Sequence, residues 1–152
     1  ADGRYDGFLT AMRAKGLHAD RNSWIDGPSK RLDAHSAVKQ IWASASAKPT
    51  AIACFNDLVA FGAMSALADL GLEVGKDVAV VGIDDTDEAQ VSFPPLTTVT
   101  NNARVIGQTA VDILRRRLAE PEHPPMQERL TPYISIRRSC GAQRAVDLHL
   151  EV

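Results

Sequence analysis

The 152-residue sequence is poor in the groups from which most catalytic and metal centres are built. It holds two cysteines, four histidines and only 5% aromatic residues. Two cysteines make no disulfide framework. Cys54 lies in the apolar run AIACF, where a buried free thiol is expected, and a reducing, cytoplasmic setting fits better than an oxidising one. A bridge from Cys54 to Cys140 stays open at this level. His18, His35, His123 and His149 are scattered without ligand spacing, so no metal is expected. There is no GxSxG elbow and no glycine-rich dinucleotide fingerprint, and GLEVGKD has neither the glycine spacing nor the Ser/Thr after Lys76 of a phosphate loop. No cofactor and no catalytic residue are therefore assigned. No apolar run approaches the roughly 18 to 20 residues of a membrane span. The opening ADGRYDGF lacks the basic-then-apolar order of a signal peptide. A net charge of −2 argues against this segment itself gripping a nucleic-acid backbone.

What is present suits one globular domain: 45% hydrophobic and 24% charged residues. Phe8, Leu9 and Met12 recur at helical spacing and predict a helix over Arg4–Lys15, stopped by Gly16. A short strand is expected around Ser23–Ile25, then a turn at Gly27-Pro28. Ala34, Val38, Ile41 and Trp42 share one face of a second helix, Leu32–Ala45. Ala51–Phe55 reads as a buried strand. Asn56 and Asp57 can each cap the following helix, Leu58–Leu70, which Gly71 closes. Val78–Ile83 is a second buried strand, ending at Asp84-Asp85. Strand, helix and strand in this order predict two parallel neighbours. After Phe93-Pro94-Pro95 come an extended run, Leu96–Thr100, a helix over Ala103–Leu118 with Asn102 as its cap, and a final strand, Tyr133–Ile136. Residues 142–152 read as a charged tail. The class is α/β with a mostly parallel sheet and flanking helices. Because the chain opens on a helix, where such a sheet normally supplies a strand, a fragment of a longer protein is expected.

In open parallel sheets ligands bind beyond the carboxyl ends of the strands. Asn56-Asp57 and Asp84-Asp85 occupy two such ends. With a strand before residue 1, Arg4 would stand near a third. A carboxylate, an amide and a planar guanidinium facing one cleft suit a polyhydroxylated ligand. Asx residues after strands also cap helices and make turns. Asp57 and Asp85 lean towards that structural use, whereas for Asn56 and Asp84 the two uses are balanced. Arg4, taken alone, reads as a solvated helix residue.

The runs FNDLVAFGAMSALADLGLEVGKDVAVVGIDDT and FPPLTTVTNNARVIGQTAVDIL resemble the LacI/GalR regulators, as do the opening RYDGFLTAMRAKGL and the closing PYISIRRSCG. The resemblance covers nearly all of residues 4–141. It implies a periplasmic binding protein type I-like fold of two lobes, with a small-molecule effector between them, a sugar or related polyol first and a nucleoside or purine behind it. A helix-turn-helix head, absent from this chain, would bind operator DNA, and the protein would be a cytoplasmic homodimer without membrane attachment. On this resemblance, residues 1–100 and 131–141 form most of the C-terminal lobe, lacking its first strand, and residues 101–130 cross into the other lobe. Arg4, Asn56 and Asp84 match ligand-binding positions, and Asn101 falls at the interlobe crossing. Pro28 stands where sugar-binding members place an aromatic platform, a departure that bears on the ligand class. Phe61, Ser65 and Phe93 fall near the family's dimer surface, with a core role for Phe61 the other reading. The rivals are a periplasmic sugar-binding protein of a transport system, which shares the fold, and a sugar-phosphate-processing enzyme, for which no base with a poising partner is found.

Overall fold

The strand–helix–strand unit expected over residues 51–83 organises the molecule. In the computed structural model, which describes residues 3–19, 24–27, 29–143 and 146–149, it is built from β1 (Ala51–Ala53), α3 (Asp57–Asp69) and β2 (Ala79–Ile83). Ahead of it lie α1 (Gly3–Ala14) and α2 (Arg31–Ser44); after it come α4 (Asp87–Val91), β3 (Thr97–Thr100), α5 (Ala103–Ala119), β4 (Tyr133–Ile136), a 3-10 turn at Arg138–Cys140 and β5 (Val146–His149).

The sheet order is β1-β2-β3-β4-β5. The first three strands run parallel, with Ile52 opposite Val80 and Gly82 opposite Thr98. The sequence from Phe93 to Thr100 returns the chain to the sheet without a long crossover helix, because the short α4 suffices. β4 then pairs antiparallel with β3, Thr100 facing Tyr133, and β5 pairs antiparallel with β4. β5 lies within the segment read as a charged tail and corrects the expectation of Tyr133–Ile136 as the last strand. Its partner is a neighbour in space, and a four-residue segment gives little periodicity by which to recognise it.

The core lies on one face of the parallel strands. α3 is rich in Ala and Leu and is buried nearly all round, because it meets the sheet on one side and α2 on the other. Leu67, Val80 and Leu96 are fully buried there, with Ala34 and Val38 of α2 packed against them. Gly62 lets the two helices touch: a Cβ there would collide with the Arg31 carbonyl oxygen. At its carboxyl end α3 stops as expected. Gly71 turns left-handed at φ 74° and the Leu72 N–H returns to the Leu67 carbonyl at 2.9 Å.

Two local expectations change. Trp24–Gly27 form no strand, for they have no neighbouring strand to pair with among the described residues. Trp24 instead packs edge-on against Tyr5, ring centroids 4.7 Å apart, and its indole N–H donates to Asp26 at 2.7 Å. Ser23 and Pro28 lie outside the described residues. Asn102 stands at the start of α5 but its side chain makes no cap. It turns the chain left-handed at φ 53°, and its N–H donates to Thr100 Oγ1 at 3.1 Å. Cys54 and Cys140 are both free thiols. No helix among the described residues is long and apolar enough to cross a membrane.

Candidate functional site at the carboxyl ends of the strands

β1, β2 and β3 are parallel, so their carboxyl ends share one edge of the sheet. β1 runs out at Ala53, and Cys54 N–H still donates to the Val81 carbonyl at 2.9 Å. Phe55 and Asn56 then leave the sheet. Asn56 is the N-cap of α3: its backbone is extended and its Oδ1 accepts from Val59 N–H at 2.9 Å. The cap orients the amide and leaves its NH2 group, which has no partner among the described residues, to donate elsewhere.

Arg4 reaches this edge from α1. Its Nη1 donates to the Phe55 carbonyl at 2.9 Å, and its guanidinium lies over the Phe55 ring, 4.3 Å from the centroid. Stacking on an aromatic face holds the planar fork in a defined orientation. Phe55, expected within a buried strand, thus lies on this edge against Arg4; it is 50% exposed. The available signal was its position, last in an apolar run and next to Asn56.

Asp84 follows β2. It is half-buried, its N–H donates to the Val99 carbonyl at 2.9 Å, and its carboxylate has no hydrogen-bond partner among the described residues. Burial pushes its carboxyl above the ordinary value, the charge of Asp57 adds to this, and Arg4 opposes it. The Arg4 effect places the two groups in electrostatic reach. Asn101 stands one residue beyond β3 on the same edge, exposed, with no bond to the other three. The structure puts Arg4 in contact with Phe55, next to Asn56, and sets Asp84 and Asn101 at the carboxyl ends of the neighbouring strands β2 and β3 on the same edge. Asp57 and Asp85 turn inward, Asp57 with no exposed surface and Asp85 paired to Arg137 at 2.6 Å.

A separate cavity of about 250 Å³, lined by Ile113, Arg116, Arg117 and residues 123–126, shares no residue with this edge. Of the three residues placed near a partner surface, Phe61 is 8% exposed and belongs to the core, its ring 5.2 Å from the Arg31 guanidinium. α2 packs on α3 and brings Arg31 to the side where Phe61 lies. Ser65 is exposed on the same helix, and Phe93 is 90% exposed.

Residues 1–140 match the model of a family described as periplasmic binding protein-like domains. The chain belongs to that family, in the form carried by LacI/GalR-type regulators. It is 36% identical over 136 residues to the HTH-type transcriptional repressor PurR of Photobacterium profundum, covering 90% of this chain and 40% of that protein. The chain thus spans well under half the length of this curated relative. Among solved structures it is similar to the lac repressor dimer bound to operator and the anti-inducer ONPF (TM-score 0.78, 30% identity, 91% of this chain and 41% of that one). It is likewise similar to the transcriptional regulator CelR in complex with cellobiose (TM-score 0.81, 26% identity, 90% and 41%). These relatives are regulators of transcription, not enzymes.

Proposed function

We propose that this chain is the effector-sensing part of a bacterial transcription regulator. A small polyhydroxylated molecule, a sugar being the leading class, binds at the carboxyl ends of β1–β3. Arg4 donates from its fork, Asn56 donates its free amide hydrogens, Asp84 accepts from hydroxyls, and Asn101 contacts the ligand from the crossing. The observation that carries this reading is the half-buried Asp84 carboxylate, without a hydrogen-bond partner among the described residues, within electrostatic reach of the stacked Arg4 guanidinium. Such a pair asks for a ligand rich in hydroxyls, since burying an unsatisfied charge is costly. The cellobiose held by CelR supports a sugar. In this chain Phe55 would offer an aromatic surface at the site, in place of the one missing at Pro28.

Residues 1–100 and 131–141 make one lobe and residues 101–130 cross to a second. α5 buries none of its residues against the rest of the chain, which supports that crossing. Ligand closure between lobes would change their relative orientation and, through a helix-turn-helix head elsewhere in the full protein, the grip on operator DNA. The lac repressor dimer on operator supports a homodimer, with the exposed Ser65 and Phe93 at its interface, in a cytoplasmic protein that is not an enzyme. The test is titration calorimetry of the full-length protein with ribose, galactose, lactose and cellobiose. Asp84→Ala and Asn56→Ala should each weaken the best sugar by about 1–3 kcal/mol, roughly 5- to 150-fold. Unaltered affinity in both variants would mean that the ligand sits elsewhere.

A further inference from the structure

The corner that carries Asp84 is strained. Asp84 has φ 128° and Asp85 φ 56°, two successive residues with a side chain in the region that favours glycine. Each such residue costs on its own and persists only where its surroundings over-determine it.

Three elements do so. From α3, the fully buried Asp57 carboxylate accepts from Thr86 N–H at 2.9 Å and Thr86 Oγ1 at 3.1 Å on one oxygen. Its other oxygen accepts from Thr98 Oγ1 at 2.6 Å. From β3, the same Thr98 hydroxyl receives the Asp85 N–H at 3.3 Å, so one hydroxyl ties the corner to Asp57. From the end of β4, Arg137 donates to Asp85 at 2.6 Å and to the Leu96 carbonyl at 2.8 Å, while Ser135 donates to Asp85 at 3.2 Å. Gly82 completes the cradle, since a Cβ there would strike Asp57 Oδ1.

Asp57 and Thr98 have essentially no exposed surface, so neither can touch a ligand. We infer that Asp57 and Thr98, with the Asp85–Arg137 pair, are positioning residues that hold Asp84 in the strained backbone from which its carboxylate faces the ligand edge. This deepens the proposed function and rests on Asp84 as a ligand contact. The ligand's hold on Asp84 then depends on bonds formed wholly inside the domain. Relaxing the corner would rotate the carboxylate away without removing it.

The test uses the full-length protein and two readouts. The first needs no ligand: amide exchange of the segment 83–88 in Thr98→Val, which keeps the shape and removes the hydroxyl, and in Asp57→Asn. Exchange there should accelerate about tenfold or more while β1 and α3 keep their protection, and Thr98→Ser should retain the parental rate. Unchanged exchange at 83–88, or uniform loss of protection across the sheet, overturns the inference. The second readout is a double-mutant cycle with Asp84→Ala, titrated with ribose and cellobiose. Thr98→Val should weaken binding about tenfold alone and by almost nothing once Asp84 is alanine. Additive losses overturn the positioning role. Asp84→Ala without effect, beside accelerated exchange at 83–88, sinks the site assignment instead and leaves the corner as a purely internal brace.

Discussion

α3 and α5 both follow a strand end on the same edge of the sheet, yet they meet opposite fates. Nine of the thirteen residues of α3 are buried, from Asp57 to Leu67, and it carries no basic residue. α5 is longer, at seventeen residues, and buries none. Its apolar side chains Ile106, Val111, Leu114 and Leu118 still lie in one broad sector, and all four are exposed. A helix stable only through tertiary packing needs a surface to cover it. α3 finds that surface in the sheet and α2. α5 leaves its stripe open, with none of its residues buried against the rest of the chain. The contrast shows that amphipathic patterning states that a face will be covered, while the buried fraction shows where the covering lies.

Chemical reactivity should separate the two helices most widely. Cys54, just ahead of α3, has its thiol pushed from 9.0 up to about 12, first by burial and then by the Asp57 charge. A rise of that size means about a thousandfold less thiolate near neutral pH than an ordinary thiol has. In a Cys140→Ser background, N-ethylmaleimide should modify a Leu114→Cys residue on α5 about a thousandfold faster than Cys54, followed by mass spectrometry. Comparable rates would show that α3 opens readily or that α5 is covered. In the full-length protein the same Leu114→Cys residue should become protected, which would locate the missing surface.

Stability should follow the same division. Leu67→Ala, at a fully buried position of α3, should cost about 2–5 kcal/mol in urea unfolding, through lost transfer energy and a cavity. Gly62→Ala should cost about 1–3 kcal/mol, because the new methyl pushes α2 from α3 at the Arg31 carbonyl. Leu118→Ala, 73% exposed on α5, should change the stability of this chain by less than about 0.5 kcal/mol. A Leu118 effect above about 1 kcal/mol would place α5 inside the cooperative unit and erase the contrast.

The parts of the fold legible in the sequence are those governed by local rules. The β1–α3–β2 unit follows from short apolar runs, an Asn cap and a glycine stop. The placement of Asn56 and Asp84 at strand ends follows from the same pattern, whereas that of Arg4 does not, since one arginine on a helix says nothing of where the helix sits. What escaped depends on distant partners. Phe55 ended an apolar run and read as buried, but β1 stops two residues earlier and the ring turns out to meet Arg4. Phe61 could be read as a partner-surface or a core residue until α2 supplied a second wall. β5 showed no pattern of its own because its pairing is set by β4. The bonds around Asp57 join residues up to 41 positions apart, beyond any local motif.

The pairing of Thr100 with Tyr133 has a mechanical consequence. The chain leaves the sheet after β3 and returns to it in β4 at directly opposed residues, a strand spacing of about 4.8 Å apart. Everything between, α5 included, hangs from two adjacent tethers fixed in one rigid sheet. A body held at two neighbouring points keeps one easy motion, rotation about the line joining them, while translation and twist are resisted by both straps at once. Asn101 sits on the first strap, one residue past the sheet, so a force applied there would act beside the pivot, where a small displacement becomes a large sweep at the far end of α5.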